Sequence, residues 1–177
     1  MPLDEHSAQI EHIGSPIIRA HAQRIGSLVH AAKIVEILVN KLNELEGAGL
    51  AAPQIGLPYR VFVLQVRKTD MFPEREESPL YTMINPEIEI LSTEELMDYE
   101  GCFSVPGYAG LVPRYKSLKA TWSDPDGNER KEIFEGYRAR VIQHELDHLN
   151  GMVYLDRMKD MLSFSTRENY MRYIREV

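Results

Sequence analysis

At 177 residues, 44% of them hydrophobic and 27% charged, the chain suffices for one domain with a real core spanning 1–177, and its length argues against a second. A formal net charge of -7 without any run of basic residues argues against a nucleic-acid partner. No apolar stretch is long enough to span a bilayer, and Asp4, Glu5 and Glu11 deny the N-terminus a hydrophobic core, so no membrane partner is expected and the expected location is cytoplasmic.

In chain order, Leu28, Ala31, Val35, Leu38, Leu42 and Leu45 recur at spacings of three and four. They make one apolar stripe on a helix that stops near Gly47, suited to core packing because it is too short for a coiled-coil seam. A loop of small residues follows, Gly47-Ala48-Gly49-Leu50-Ala51-Ala52-Pro53-Gln54-Ile55-Gly56. It lacks the Gly-Lys-Ser/Thr ending of a phosphate loop and follows a helix instead of a strand. Small residues at Gly47, Gly49, Ala51 and Ala52 would instead let an extended peptide or a metal ligand approach the backbone closely.

Residues 60–66, 82–90, 116–123 and 129–134 read as strands, with the Asp124-Pro125-Asp126-Gly127 turn between the last two. The charged, proline-containing segment 67–79 reads as an enlarged loop. A helix is expected from about Tyr137, then a short strand at 152–155 and a C-terminal helix from about Lys159. The order gives an α+β fold, a single domain of mostly antiparallel strands around a central metal-binding helix.

That helix carries Gln143-His144-Glu145-Leu146-Asp147-His148. Positions i and i+4 share a helix face, so both imidazoles can reach one metal ion, and Glu145 is placed to handle a water proton without being a ligand. Ala139, Val141, Ile142, Leu146 and Leu149 make much of the helix apolar, which implies burial. Polar residues on a buried helix need a partner, and a metal supplies one for both rings.

A catalytic site of this kind takes three protein ligands and leaves one position open. A third His three residues past Gly151 is missing, because position 154 is Tyr. Glu168, twenty residues after His148, is a second candidate and would make a zinc endopeptidase. The third is Cys102, the only cysteine, in Glu100-Gly101-Cys102-Phe103-Ser104. A lone Cys excludes an intrachain disulfide, fits a reducing compartment, and at a strand end facing a cleft offers a thiolate. A thiolate favours Fe(II), Co(II), Ni(II) or Zn(II) over Mg or Ca.

Three separated segments, the glycine-rich loop, Glu100–Ser104 and Gln143–Gly151, match in order the three motifs of the peptide deformylases, which this chain resembles from about residue 15 to about residue 158. The resemblance implies removal of the formyl group from an N-formylmethionyl peptide, with a metal held by Cys102, His144 and His148, Fe(II) favoured and Zn(II) as a substitute. It further implies Glu145 as the proton carrier, and the Gln54 amide with a backbone N–H at or beside Phe103 as oxyanion donors. Transient contact with a ribosome fits such a substrate. Two features depart from the pattern: Phe103 stands where Leu is usual, and Ala109 stands where some bacterial members carry a peptide-holding Arg. Selectivity for methionine needs an apolar pocket beside the metal, expected from Tyr137, Arg140 and Val141 on the same helix, with Arg140 contributing its aliphatic stem, and from the bare backbone at Gly49. Glu100 and Arg114 are expected to pair beneath the cysteine segment. A catalytically idle protein that binds formylated peptides is the remaining alternative.

Overall fold

The computed structural model describes residues 9–70 and 72–175. Helix α1, Leu28–Leu45, starts where the Ser27 hydroxyl accepts from the backbone N–H of His30 and ends where Glu46 turns left-handed (φ 53°). Of the expected stripe, Ala31, Val35, Leu38 and Leu42 are buried, joined by Ile34, whereas Leu45 is half-buried and Leu28, at the first turn, is exposed.

Among the described residues eight strands follow in two antiparallel sheets. They are β1 Gly49–Ala51, β2 Val61–Leu64, β3 Tyr81–Ile90, β4 Glu95–Cys102, β5 Val105–Tyr115, β6 Ser117–Ser123, β7 Glu129–Glu135 and β8 Ser165–Thr166. The larger sheet has the order β1-β2-β3-β6-β7 and the smaller β4-β5-β8. Alternation along β2 divides the core: Val61 and Val63 pack with α1, whereas Phe62 and Leu64 pack with Trp122, Phe134 and the second helix, α2, Gly136–Leu149. From α2, Ala139, Val141, Ile142 and Leu149 join that second cluster. Its opposite side meets the β4–β5 hairpin, where the Gln143 amide exchanges hydrogen bonds with the backbone N–H and C=O of Tyr115 at 3.0 and 2.9 Å. Asp124 organises the expected turn by accepting from the backbone N–H groups of Asp126 and Asn128. The result is a single-domain α+β fold with antiparallel sheets. Among the described residues no helix is long and apolar enough to cross a membrane.

Three expectations are corrected. The glycine-rich segment is no simple loop, because Gly49–Ala51 pairs with β2 and Ala52–Ile55 forms a 3-10 turn. The strand expected at 152–155 is replaced by a 3-10 turn, Tyr154–Arg157, closed where the Asp156 carboxylate accepts from the Val153 N–H at 2.8 Å. The helix expected from Lys159 forms only from Arg167, after a 3-10 turn Met161–Ser163 and the short β8, and it ends as a π turn over Tyr170–Ile174. Pairing of Ser165 and Thr166 with Ala109 and Tyr108 keeps that stretch extended.

Candidate metal centre

Cys102 is the last residue of β4, and the two-residue turn Phe103–Ser104 leads into β5 with Cys102 opposite Val105. The turn aims the thiol inward: the Ser104 N–H donates to Sγ at 3.4 Å. His144 and His148, one helical turn apart on α2, present their rings on the same side with centroids 5.0 Å apart. His148 Nε2 lies 3.2 Å from the thiol sulfur. His144 Nδ1 lies 2.8 Å from Glu100 Oε2, and donation by Nδ1–H leaves Nε2 free for a metal. One ligand atom from each of Cys102, His144 and His148 falls within 4.8 Å of the others.

The fit of a metal rests on this donor set and on what surrounds it. Two imidazoles and a thiolate are a three-ligand set for a divalent transition ion with one position left open. Burial alone would raise the Cys102 thiol pKa, yet the neighbouring His148 and His144 hold it well below its usual value. Burial alone would depress His144, but the hydrogen bonds its ring donates to Cys102 and Glu100 push it well above the usual imidazole value. The buried thiolate is thus held by the positive charge of its histidine neighbours, a charge that a bound cation would supply in their place.

Glu145 sits beside this trio, 3% exposed, with Oε2 lacking a hydrogen-bond partner among the described residues. Burial pushes its pKa up to about 7, against the pull of His144 and His148. Gly49 makes the space: a Cβ there would collide with the Glu145 carboxylate, so no other residue fits without displacing it. Gln54 is buried, not solvated. Its Oε1 accepts from the Ala51 N–H at 2.9 Å, while Nε2 donates to Ser104 Oγ at 3.3 Å and to Cys102 Sγ at 3.5 Å.

A buried ionic network lies behind the ligands. Arg114 holds Glu100 with two parallel hydrogen bonds, Nε to Oε1 at 2.9 Å and Nη2 to Oε2 at 3.0 Å, and reaches Asp147 Oδ2 at 2.6 Å with Nη1. Asp147 in turn takes Arg157 at 2.7 Å. The expected Glu100–Arg114 pair is thus present, while the inclusion of Asp147 and Arg157 was not foreseen. The signal available was an acidic residue inside the apolar motif helix, which at 4% exposure requires a cation.

The remaining candidates are placed as follows. Phe103 follows the cysteine, and its ring packs toward α1 across Gly47, where a Cβ would touch it. Val141 belongs to the cluster against the larger sheet, and Tyr137 packs on the edge of that cluster with the Arg75 guanidinium 4.3 Å over its ring. Arg75 also lies 3.6 Å from the Phe72 centroid, so the enlarged 67–79 segment is anchored over the start of α2. Arg140 is 5% exposed with its guanidinium spent on protein acceptors, so it is not a free aliphatic wall. Glu168 is exposed on the last helical segment and is not part of the metal-competent group. Tyr154, which stands at the position of a missing third His, is fully buried in the cluster of Ile18, Val105 and Val112.

The family model for polypeptide deformylase matches residues 7–163 of this chain. The chain is 34% identical over 167 residues to peptide deformylase 2 of a Nostoc species, covering 93% of each, and 42% identical over 135 residues to peptide deformylase 2 of Ralstonia nicotianae, covering 76% of each. Among solved structures it is similar to the Met-Ala-Ser-bound class I type b peptide deformylase of Acinetobacter baumannii (TM-score 0.82, 30% identity), covering 85% of this chain and 97% of that one. It is likewise similar to the peptide deformylase of Thermotoga maritima (TM-score 0.78, 33% identity), covering 88% and 99%.

Proposed function

The chain belongs to the polypeptide deformylase family, and from that premise we propose that it hydrolyses the formyl amide of N-formylmethionyl peptides, giving formate and a free amino terminus. The observation that carries the assignment is the convergence of Cys102, His144 and His148 within 4.8 Å of one another beside the Glu145 carboxylate, whose Oε2 has no hydrogen-bond partner among the described residues. We assign Cys102, His144 and His148 as ligands to Fe(II), with Zn(II) as a substitute. Such an ion, when bound, supplies Lewis acidity to a carbonyl oxygen and to water.

The chain's own residues do the rest. Glu145, with a pKa near 7, takes the proton from the attacking water and delivers it to the departing amine. That transfer needs a carboxylate free to accept, and the space left by Gly49 together with the bare Oε2 supports this role. Gln54 Nε2, already aimed at Cys102 Sγ, is the side-chain donor closest in kind to what a developing oxyanion requires, and the Phe103 backbone N–H is its companion. Glu100 fixes the His144 tautomer. Tyr137 and Val141, with the backbone at Gly49, are the groups we assign to the methionine side chain. A formylated nascent chain places the reaction in the cytoplasm beside the ribosome, with transient contact there.

The test is formate release from a short formyl-Met peptide by protein loaded anaerobically with Fe(II), with Glu145→Gln as the comparison. Release by the parent and at least about a hundredfold loss in the variant, with metal retained, is expected. Binding of metal and peptide without release would leave an idle peptide-binding protein in place of an enzyme.

A further inference from the structure

Arg140 lies one helical turn before His144 on α2, with its guanidinium buried. Nη1 donates to Glu100 Oε1 at 2.8 Å and to the Val112 carbonyl at 2.9 Å, and Nη2 donates to the Leu96 carbonyl at 2.5 Å. Glu100 therefore receives two guanidinium groups on Oε1, from Arg114 and Arg140, and one guanidinium plus the His144 ring on Oε2. We propose that Arg140 is a positioning residue for the metal site: by occupying Oε1 of Glu100 it fixes the plane of that carboxylate so that Oε2 stays aimed at His144 Nδ1. This inference rests on the deformylase reading only for its kinetic consequences.

The physical ground is the number of donors. Without Arg140 the carboxylate and the Arg114 fork can shift together as one planar unit, and the only remaining donor against that shift is His144 itself, the group to be positioned. The donor from α2 arrives from the same helix that carries His144, so Arg140 ties acceptor and ligand to one frame. The strand carbonyls of Leu96 and Val112 hold the guanidinium in place from the other side. Arg140 thus acts on the metal through Glu100 and His144, and it has no need to touch substrate.

Arg140→Leu and Arg140→Lys separate this role from two others. Each protein is loaded with Zn(II), the rate of metal loss to excess chelator is followed, and the melting temperature, kcat and KM on a formyl-Met peptide are measured alongside. Metal loss about tenfold faster in Arg140→Leu is expected, with kcat reduced and KM unchanged. In Arg140→Lys the ammonium still reaches Glu100 but cannot serve both strand carbonyls. Metal retention close to the parent is therefore expected despite a lowered melting temperature. Unchanged or slower metal loss in Arg140→Leu overturns the proposal. So does metal loss that tracks the melting temperature in both variants, which makes Arg140 a clamp on the hairpin, and so does a raised KM with metal loss unaltered, which makes it a pocket wall. Should the leucine variant fail to fold, Arg140→Met, an apolar side chain of similar length that also removes the donors to Glu100, takes its place with the same expected and overturning results. A parent that releases no formate defeats the deformylase reading, while the metal-loss rates still judge Arg140.

Discussion

Glu100 on β4 and His144 on α2 stand 44 residues apart in sequence and 2.8 Å apart in space, joined through Oε2 and Nδ1. This contact binds the hairpin that carries Cys102 to the helix that carries both imidazoles. Burial alone would raise the Glu100 pKa; hydrogen bonds from His144 and Arg114 instead hold it well below the usual carboxylate range. The carboxylate is therefore both a structural hub and an electrostatic one.

Removing its charge leaves Arg114 and Arg140 buried with a weaker partner. Glu100→Gln is expected to cost about 3–5 kcal/mol of stability, as for a broken buried pair, read from the denaturant midpoint. Metal affinity should fall by about 10–100-fold in the same protein, read by chelator competition. Parent-like values of both would deny the hub role.

How far the sequence already disclosed these features depends on which interactions carry each one. The stripe of α1 and the alternation in β2 were legible because burial on one face imposes a period. The pairing of His144 and His148 was legible because helix geometry puts i and i+4 on one face, whereas the third ligand stayed open between Glu168 and Cys102 until the resemblance to the deformylase motifs favoured the cysteine. Strand β4 was hidden: six of its first seven positions are charged, polar or solvent-facing, so no alternation marks it, and backbone pairing with β5 holds it instead. The destination of Arg140 was hidden for a related reason, since helix spacing gives its direction but not the Glu100 carboxylate and strand carbonyls waiting there.

Gly49→Ala tests the space beside Glu145. A Cβ would displace the Glu145 carboxylate, whose atoms are the nearest to it. Loss of about a hundredfold in kcat with full metal content is expected, on the scale of a lost proton carrier. An alanine variant with parent activity would show that the carboxylate has freedom to move.

The raised Glu145 pKa gives a pH signature. An unfolded Glu titrates near about 4.3, and the folded group near 7, so between these values the folded protein binds the proton that the unfolded chain has released. Its contribution to stability is present at low pH and is lost as pH rises from about 4.3 through 7. His144 and Cys102 titrate in the same cluster, so the comparison must be between parent and Glu145→Gln, both metal-free. Urea midpoints at pH 5 and pH 8 should fall more steeply in the parent, with the variant gaining relative to it at pH 8. Equal slopes would mean that Glu145 is not held neutral by burial.

Cys102→Ala addresses the ligand set itself. Its sulfur is the point at which His148 Nε2, Gln54 Nε2 and the Ser104 N–H converge, and Glu168, the rival ligand, is exposed on a different segment. With only the two imidazoles left of the metal-competent group among the described residues, the variant should bind Zn(II) at least about a hundredfold more weakly than the parent while keeping its fold. Metal content measured after gel filtration, alongside a circular-dichroism melt, checks both parts. Stoichiometric zinc in the folded variant would require a third ligand other than the thiolate, and the assignment of Cys102 would fall with it.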